Sequence, residues 1–205
     1  MADKVRVGVL ISSRGSNMQA LAEYRRVVDT AYELVLVASN APEARGLVLA
    51  RRFGIKTWTH SHKGLERAEF DRLMDAELRR HDVELIALAG YMRLLSPEFI
   101  RAWPGRILNI HPSLLPAYKG LDTHRRALLA GEEYTGCSVH IVTEELDDGP
   151  VLAQAEVKIR GRDTPEALGK RVLEEEHRLY PRALDAFCRT LLAGYQPTIS
   201  SGLKK

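Results

Sequence analysis

A chain of 205 residues with 45% hydrophobic and 28% charged residues is long enough for one sizeable α/β domain or two small ones, each with a buried core. The net charge of +3 is too small to indicate a nucleic-acid-binding surface, and no apolar run approaches the roughly 18 residues of a membrane span. The two cysteines, Cys137 and Cys188, lack the spacing of a metal site and are typical of reduced core residues. We therefore expect a cytoplasmic protein without nucleic acid, membrane or metal as a partner.

The first half of the chain alternates short apolar runs, rich in β-branched residues, with segments of helical periodicity. The predicted strands cover residues 5–11, 32–39, 55–60, 84–90 and 106–110. One predicted helix starts near Asn17, with Ser16 as its N-cap. Three further helices are predicted at residues 43–53, 66–80 and 97–103. This alternation indicates βαβ units, so we predict a doubly wound α/β core with a Rossmann-like, mostly parallel sheet.

The second half of the chain has a different pattern. A helix is predicted at residues 123–130, and two strands at residues 136–144 and 151–159 are joined through an acidic turn. We expect these strands to pair antiparallel and to extend the sheet. A long helix from residue 166 to about residue 193 closes the fold. Because we find neither repeats nor a linker, we expect a single domain.

The stretch NIHPSLLPAYKG, residues 109–120, follows the fifth predicted strand and is interrupted by prolines and a glycine. In open α/β sheets, ligands bind beyond the carboxyl ends of the strands. Asn109 and His111 are two residues apart in extended backbone, so their side chains project to the same side. A long loop without regular structure is usually functional. A capping asparagine beside a buried, hydrogen-bonded histidine would give the same pattern.

Two other loops reach the same edge of the predicted sheet. The SSRGSN turn, residues 12–17, leads from the first strand into a helix, where free backbone amides suit a phosphate group. An ordinary strand-to-helix turn would look alike. The chain has neither a G-x-G-x-x-G nor a G-x-x-x-x-G-K-[ST] motif, which excludes a dinucleotide fingerprint and an NTP-binding P-loop. The GYMRLLSP segment, residues 90–97, follows the fourth strand.

Acidic residues at two places could take part in a site. The turn ELDDGP contains Asp147 and Asp148, and such residues are usually solvated. A functional role requires one carboxylate to meet a histidine, which would orient the ring and raise its pKa. Glu176 and His177, on the closing helix, could point either into the cleft or into solvent.

Other candidates are weaker. His60 and His62 alternate along one strand without a third ligand nearby, which disfavours a metal site. His124 is expected at the surface, and His140 could face the loop end of the sheet. Ser113 has no base at an informative spacing, and the absence of a G-x-S-x-G motif argues against a serine hydrolase.

The chain resembles the phosphoribosylglycinamide formyltransferases, a folate-dependent formyltransferase family of purine biosynthesis. The resemblance runs from about Val5 to the closing helix and is carried by VLISSRGSNMQAL, LAGYMRLLSP, LNIHPSLLPAYKGLDTHRRAL, SVHIVTEELDDGPVLAQ and EEHRLYP. It implies transfer of the formyl group of 10-formyltetrahydrofolate, as co-substrate, to the amine of glycinamide ribonucleotide. Arg14 stands where some relatives carry asparagine, and this change bears on the phosphate contacts.

The resemblance also implies the roles of individual residues. Three are catalytic, namely Asn109, His111 and Asp147. The nucleotide-binding set comprises Gly15, Ser16, Asn17, Ser113 and Glu176. The folate-binding set comprises Arg67, Met92, Arg93, Leu94, Leu95, Asn109, Thr143, Glu144, Glu145, Leu146 and Asp147. Neither a metal ion nor a covalent nucleophile is implied.

The chemistry of these residue types agrees with formyl transfer. When an amine attacks a formyl carbon, negative charge collects on the carbonyl oxygen of a tetrahedral intermediate. Asn109 would donate a neutral N–H to that oxygen, and a protonated His111 would donate a charge-assisted one. We expect Asp147 to hold His111 in its protonated form. Either His111 or a water held by Asp147 would relay the proton.

Three alternatives remain open from the sequence. A methionyl-tRNA formyltransferase carries a similar S-L-L-P loop but would need a further domain and a more basic surface. A formyltetrahydrofolate hydrolase would transfer the formyl group to water. A non-catalytic, nucleotide-binding module is the most distant alternative.

The expected organisation is a single formyltransferase domain over residues 1–205. Residues 1–108 would form a nucleotide-binding half, and residues 109–195 would supply the catalytic loop and a folate-binding half. We expect small-molecule substrates and either a monomer or a homodimer.

Overall fold

The computed structural model describes residues 3–195 and 197, and within them the chain forms a seven-stranded sheet flanked by six helices. The strands are β1 Val5–Ile11, β2 Tyr32–Ser39, β3 Lys56–Thr59, β4 Leu85–Leu88, β5 Ile107–His111, β6 Tyr134–Ile141 and β7 Val151–Lys158. The helices are α1 Ser16–Val27, α2 Arg45–Arg52, α3 Arg67–Arg80, α4 Pro97–Ala102, α5 Thr123–Leu129 and α6 Pro165–Leu192. The predicted α/β class and the order of elements are confirmed. Residues 1–2, 196 and 198–205 of the expected domain lie outside the described part.

The order of the strands decides where a ligand can bind. They are arranged β3-β2-β1-β4-β5-β6-β7. Strands β1 to β5 are parallel, whereas β6 pairs antiparallel with β5 and β7 pairs antiparallel with β6, as predicted. The strand order reverses between β1 and β4, and open α/β sheets bind ligands at such a switch point. The loops after β1, β4 and β5 therefore meet at one edge of the sheet.

Alternating side chains of the central strands fill two separate cores. Val7 and Val9 of β1 are fully buried against the face of the sheet that carries α1, α2 and α6. Leu10 of the same strand is buried on the opposite face, together with Phe70 of α3 and Phe99 of α4. Successive side chains of a strand point to opposite faces, so an apolar strand such as β1 requires helices on both sides.

Some predicted boundaries were wrong by a few residues. The prediction of Ser16 as N-cap was wrong: Ser16 is the first residue of α1, and Gly15 is the N-cap with a left-handed φ of 74°. Strand β5 extends to His111, because His111 pairs with Ser138 of β6. The longest helix, α6, has 28 residues, but no helix in the described part is long and apolar enough to cross a membrane.

Candidate active site

Strand β5 delivers two polar side chains to the ligand-binding edge. Asn109 and His111 are two residues apart in the strand, as the sequence predicted, and His111 is buried. The neighbouring strand β6 places His140 directly opposite Asn109. The Nδ2 atom of Asn109 lies 3.2 Å from Nε2 of His140. The sheet thus presents an amide and two imidazoles within one small region.

Asp147 reaches this region from the loop between β6 and β7. Its Oδ2 atom lies 3.4 Å from Nδ1 of His111, and its Oδ1 atom lies 3.6 Å from Nε2 of His140. The backbone N–H of Gly120 donates a hydrogen bond of 3.0 Å to Oδ2. The hypothesis that an acid of the ELDDGP turn meets a histidine is therefore confirmed in geometry for Asp147. Asp148 instead forms an ion pair with Lys119.

Opposing effects act on the pKa of His111. Burial is the largest and lowers the pKa, while the carbonyl of Tyr118 and the carboxylate of Asp147 raise it again in part. Asp147 therefore raises the pKa of His111, as expected, but burial outweighs this effect and the net pKa lies below the ordinary value. How strongly burial opposes the acid could not be inferred from the residue pattern.

The pKa of Asp147 moves in the direction expected of a carboxylate with partners. Burial raises it, but contact with His140, the N–H of Gly120 and the charge of His111 together lower it below the ordinary value. Asp147 is therefore the anionic member of the group.

Backbone strain is concentrated around the two histidines. Tyr118, Asp122 and Asp147 have left-handed φ angles of 54°, 56° and 49°, and Asp82 is the fourth such non-glycine residue in the described part. Non-glycine residues adopt this conformation rarely and at an energetic cost. The carbonyl of Tyr118 accepts a hydrogen bond of 3.0 Å from Nε2 of His111. Tyr118, in the loop after β5, and Asp147, in the loop after β6, thus contact His111 from strained backbone positions.

The loop between β5 and α5 is held in place by its own contacts. The hydroxyl of Ser113 is buried and donates to the carbonyl of Ala117 at 2.6 Å, and the hydroxyl of Ser138 donates to the carbonyl of Ser113 at 2.6 Å. Arg126 donates to the carbonyl of Lys119 at 2.6 Å. The Ser113 hydroxyl is thus engaged within its own loop, although the resemblance placed this residue in the nucleotide-binding set.

The turn after β1 presents backbone amides at the start of α1. A Cβ atom on Gly15 would lie 2.7 Å from the Cα of Gly46, so this turn packs directly on the backbone at the start of α2. Ser16 and Asn17 form the first turn of α1, where free N–H groups point out of the helix. This geometry suits an anion beside the ends of β1 and β4.

A buried hydrogen bond links the first helix to the last. Nδ2 of Asn17 donates to Oε2 of Glu176 at 2.7 Å, across 159 residues of sequence. Burial raises the pKa of Glu176 to about 7, and the bond from Asn17 only partly counteracts this. Oδ1 of Asn17 is buried without a hydrogen-bond partner among the described residues. Of the two orientations left open for Glu176, the structure has the inward one.

The expected folate-binding residues after β4 and at the start of α3 differ in exposure and in their contacts. Met92 and Leu94 are 69% and 53% exposed, whereas Leu95 is buried. The guanidinium of Arg93 lies 5.5 Å from the ring centroid of Phe70 and donates to the carbonyl of Leu65 at 3.3 Å. Arg67 is the first residue of α3.

The loop after β6 does not bring all of its expected residues into the cleft. The carboxylate of Glu144 lies 3.3 Å from Arg101 of α4. The hydroxyl of Thr143 donates to the carbonyl of Glu145 at 3.2 Å. Leu146 is 55% exposed and precedes Asp147, whose side chain is only 9% exposed.

Two histidines differ from what the sequence indicated. His140 was a minor candidate, but its ring contacts both Asn109 and Asp147. Its position in an alternating apolar strand was the signal that could have identified it. His124 was expected at the surface and is half-buried instead, with its ring beside Gly169 of α6, where an added Cβ would lie 3.1 Å from Cδ2 of His124.

Known proteins resemble this chain over most of its length. The family described as "Formyl transferase" matches residues 5–184. The phosphoribosylglycinamide formyltransferase of Escherichia coli (strain K12) is 43% identical over 180 residues, which cover 87% of this chain and 85% of that protein. The trifunctional purine biosynthetic protein adenosine-3 of Gallus gallus is 48% identical over 89% of this chain, but the chain spans only 18% of that protein.

Solved structures show the same relationship. Glycinamide ribonucleotide transformylase 1 from Symbiobacterium toebii has a TM-score of 0.89 at 41% identity, covering 93% of this chain and 90% of its own. A formyltetrahydrofolate deformylase from Pseudomonas syringae has a TM-score of 0.85 at 25% identity, covering 92% of this chain and 63% of its own. With a family match over most of its length and relatives above 40% identity, the chain belongs to the formyl transferase family.

Proposed function

We propose that this protein transfers the formyl group of 10-formyltetrahydrofolate to the amine of glycinamide ribonucleotide, a step of purine biosynthesis. The observation that carries the proposal is the convergence of Asn109, His111 and Asp147 at the carboxyl end of β5. It is supported by the name and the 43% identity of the Escherichia coli relative, which the chain covers over 85% of its length.

Asn109 and His111 would stabilise the negative charge of the reaction. The amine nitrogen of the ribonucleotide attacks the formyl carbon, and the former carbonyl oxygen becomes an oxyanion in a tetrahedral intermediate. A preorganised donor aimed at such an oxygen is typically worth about 10²–10³-fold in rate. Asn109 can donate a neutral N–H, and protonated His111 donates a stronger bond when its Nε2–H exchanges the carbonyl of Tyr118 for the oxyanion.

The same residues balance the protons of the transfer. The attacking amine loses one proton, the bond between the formyl carbon and the folate N10 breaks, and N10 gains one proton. His111 lies 3.4 Å from the anionic Asp147, so it can accept the proton of the amine and pass it on. Because its resting pKa is below the ordinary value, His111 is suited to take up a proton during the reaction.

The nucleotide would bind along α1. Its phosphate fits the amides at Gly15, Ser16 and Asn17, and Ser113 would contribute through the shape of its loop rather than through its hydroxyl. Glu176 reaches the same place from α6 and can accept hydrogen bonds from ribose hydroxyls when it exchanges its bond to Asn17.

The folate co-substrate would bind on the other side of the catalytic residues. Exposed apolar side chains at the rim, Met92, Leu94 and Leu146, offer a surface that a flat heterocycle could cover. Arg67 and Arg93 suit the acidic part of a folate. The remaining residues of the proposed folate site are Leu95, Asn109, Thr143, Glu144, Glu145 and Asp147.

The proposed protein is a single domain acting on small molecules. Met92 and Leu146, one from each sequence half, border the proposed folate side. Asn17 and Glu176, again one from each half, meet on the proposed nucleotide side. Each proposed substrate would thus contact both halves. The halves would therefore work as one unit, as a monomer or a homodimer in the cytoplasm.

A second candidate function is hydrolysis of the formyl group, favoured by the structural likeness to the Pseudomonas syringae deformylase. The two activities differ only in the acceptor, which is an amine in one and water in the other. The lower identity of that relative, 25%, makes it the weaker candidate.

The acceptor can be identified by mixing purified protein with 10-formyltetrahydrofolate and one acceptor at a time. We expect tetrahydrofolate, followed by absorbance, to form rapidly with glycinamide ribonucleotide and only at background rate with buffer or methionyl-tRNA. Asn109→Ala protein, purified in parallel, controls for contaminating enzyme. Equal turnover without any added acceptor would show a hydrolase, and turnover only with methionyl-tRNA would also refute the proposal.

A further inference from the structure

We propose that His140 is a positioning residue that fixes the orientation of the Asn109 carboxamide. The inference rests on the proposed function, because Asn109 is taken there as the donor to the oxyanion. His140 is 1% exposed, and its Nε2 atom lies 3.2 Å from Nδ2 of Asn109. Neither the motifs nor the proposed catalytic set assigned a role to this residue.

The backbone of β6 determines which nitrogen of His140 carries the proton. Nδ1 lies 3.1 Å from the carbonyl oxygen of Ile141, and a carbonyl oxygen can only accept a hydrogen bond. Nδ1 is therefore the donor, and Nε2 of a singly protonated ring is an acceptor. That acceptor faces the Asn109 carboxamide, so the nearer atom of the amide must be its NH₂ group.

This contact decides what the amide can offer a substrate. The oxygen and nitrogen ends of a carboxamide have almost the same shape, so packing alone does not choose between the two flipped orientations. With one N–H donated to His140, the other N–H of the same group is left for the reacting carbonyl. The flipped amide would turn a lone pair toward a developing anion and oppose the reaction.

The neighbouring charges do not replace this function. Oδ1 of Asp147 lies 3.6 Å from Nε2 of His140, farther away than the Asn109 amide. The carboxylate also contacts His111 and the N–H of Gly120, so it is held by other partners. Within the described residues, Asp147 forms no hydrogen bond to the Asn109 carboxamide, so the contact to His140 is the one that selects the NH₂ end of the amide.

Two substitutions separate positioning from simple space filling. In His140→Gln, the side-chain amide reaches the place of Nε2 and can offer an acceptor to Asn109. In His140→Asn, the shorter amide reaches only the place of Nδ1 and can restore only the bond to Ile141. We expect kcat to fall about 10–100-fold in His140→Asn and much less in His140→Gln, with KM for both substrates within about threefold. Equal losses in both variants, or a loss confined to KM, would overturn the proposal.

A double substitution tests whether His140 acts through Asn109. In the Asn109→Ala background, His140→Asn should cause little further loss, because the amide to be oriented is absent. A full additional loss would show an independent role, such as proton transfer. That role would also change the shape of the pH profile of kcat in His140→Gln, whereas positioning lowers the profile without changing its shape.

The contact itself can be measured without turnover. In ¹⁵N NMR spectra of the wild-type protein at pH 8, we expect His140 to carry its proton on Nδ1 and a bare Nε2. A proton on Nε2 would refute the assigned orientation. If the wild-type protein formylates no glycinamide ribonucleotide, the proposed function fails, while this spectrum still reports on the His140–Asn109 contact. Thermal unfolding of each variant confirms that it is folded.

Discussion

The Nδ1 atom of His111 lies 3.4 Å from Oδ2 of Asp147, and the two side chains are only 7% and 9% exposed. The opposite nitrogen, Nε2, donates to the carbonyl of Tyr118. A neutral ring with its proton on Nε2 therefore turns a lone pair toward a carboxylate, whereas a protonated ring satisfies both partners. The site is built so that proton uptake by His111 improves its contacts, although burial opposes that uptake.

Replacement of Asp147 by asparagine should lower the pKa of His111 further. The carboxylate is one of the groups that raise this pKa against the effect of burial, and asparagine keeps the shape but removes the charge. An NMR titration of the His111 ring measures the shift, and kcat should fall by about 10²-fold or more. Asp148→Asn is the matched control, because Asp148 is the adjacent acid and pairs with Lys119 instead. An unchanged or higher His111 pKa in Asp147→Asn would contradict this account.

Alanine at either residue of the β5 pair should abolish most of the catalysis. Asn109→Ala and His111→Ala each remove a donor to the oxyanion, so we expect single-turnover formyl transfer to slow by at least about 10²-fold. Glycinamide ribonucleotide should still bind, because its proposed contacts lie on α1 and α6. His81→Ala serves as a control at the opposite end of the strands, just before β4. Wild-type-like rates in either active-site variant would remove the basis of the mechanism.

The sequence allowed the fold and the placement of Asn109 and His111 on one side of the sheet edge to be predicted, because both depend on local pattern. Strand–helix alternation implies a parallel sheet, and the i, i+2 spacing put Asn109 and His111 on one side. The contact between Asn109 and His140 could not be predicted in this way, since it depends on the antiparallel register of β5 and β6. The sign of the His111 pKa shift was also out of reach, because it is the sum of burial and several partners from different loops.

A methyl group on Gly15 should disturb the turn that precedes α1. Gly15 has a φ of 74°, and an added Cβ would lie 2.7 Å from the Cα of Gly46, a backbone atom that cannot move aside easily. We expect Gly15→Ala to lower the free energy of unfolding by about 2–4 kcal/mol and to raise KM for glycinamide ribonucleotide. Urea unfolding and steady-state kinetics measure the two effects.

Gly54 provides the comparison for Gly15. Its φ is 73°, almost the same, but an added Cβ would meet no atom within 4 Å. Gly54→Ala should therefore cost only the conformational strain, about 1 kcal/mol, and leave KM unchanged. If the two variants were equally stable and equally active, close packing of the turn on α2 would not be what Gly15 provides.

The buried carboxyl of Glu176 should make stability depend on pH. Burial raises its pKa in the folded protein to about 7, whereas the ordinary value is 4.5. Below about pH 4.5 the group is protonated in both states. As the pH rises toward 7, the unfolded chain releases the proton while the folded protein keeps it, so the free energy of unfolding decreases. The difference corresponds to about 3 kcal/mol lost between pH 4.5 and pH 8.

Glu176→Gln should remove this loss, because the amide has no proton to release and can still accept the bond from Asn17. Urea unfolding at pH 5 and pH 8 should show that the variant gains stability over wild type at pH 8 but much less at pH 5. Glu174→Gln, an exposed position of the same helix, changes the formal charge equally and should leave the pH dependence of wild type intact. Parallel pH profiles for wild type and Glu176→Gln would mean that the carboxyl is ionised in the folded protein, with Asn17 and water compensating its charge.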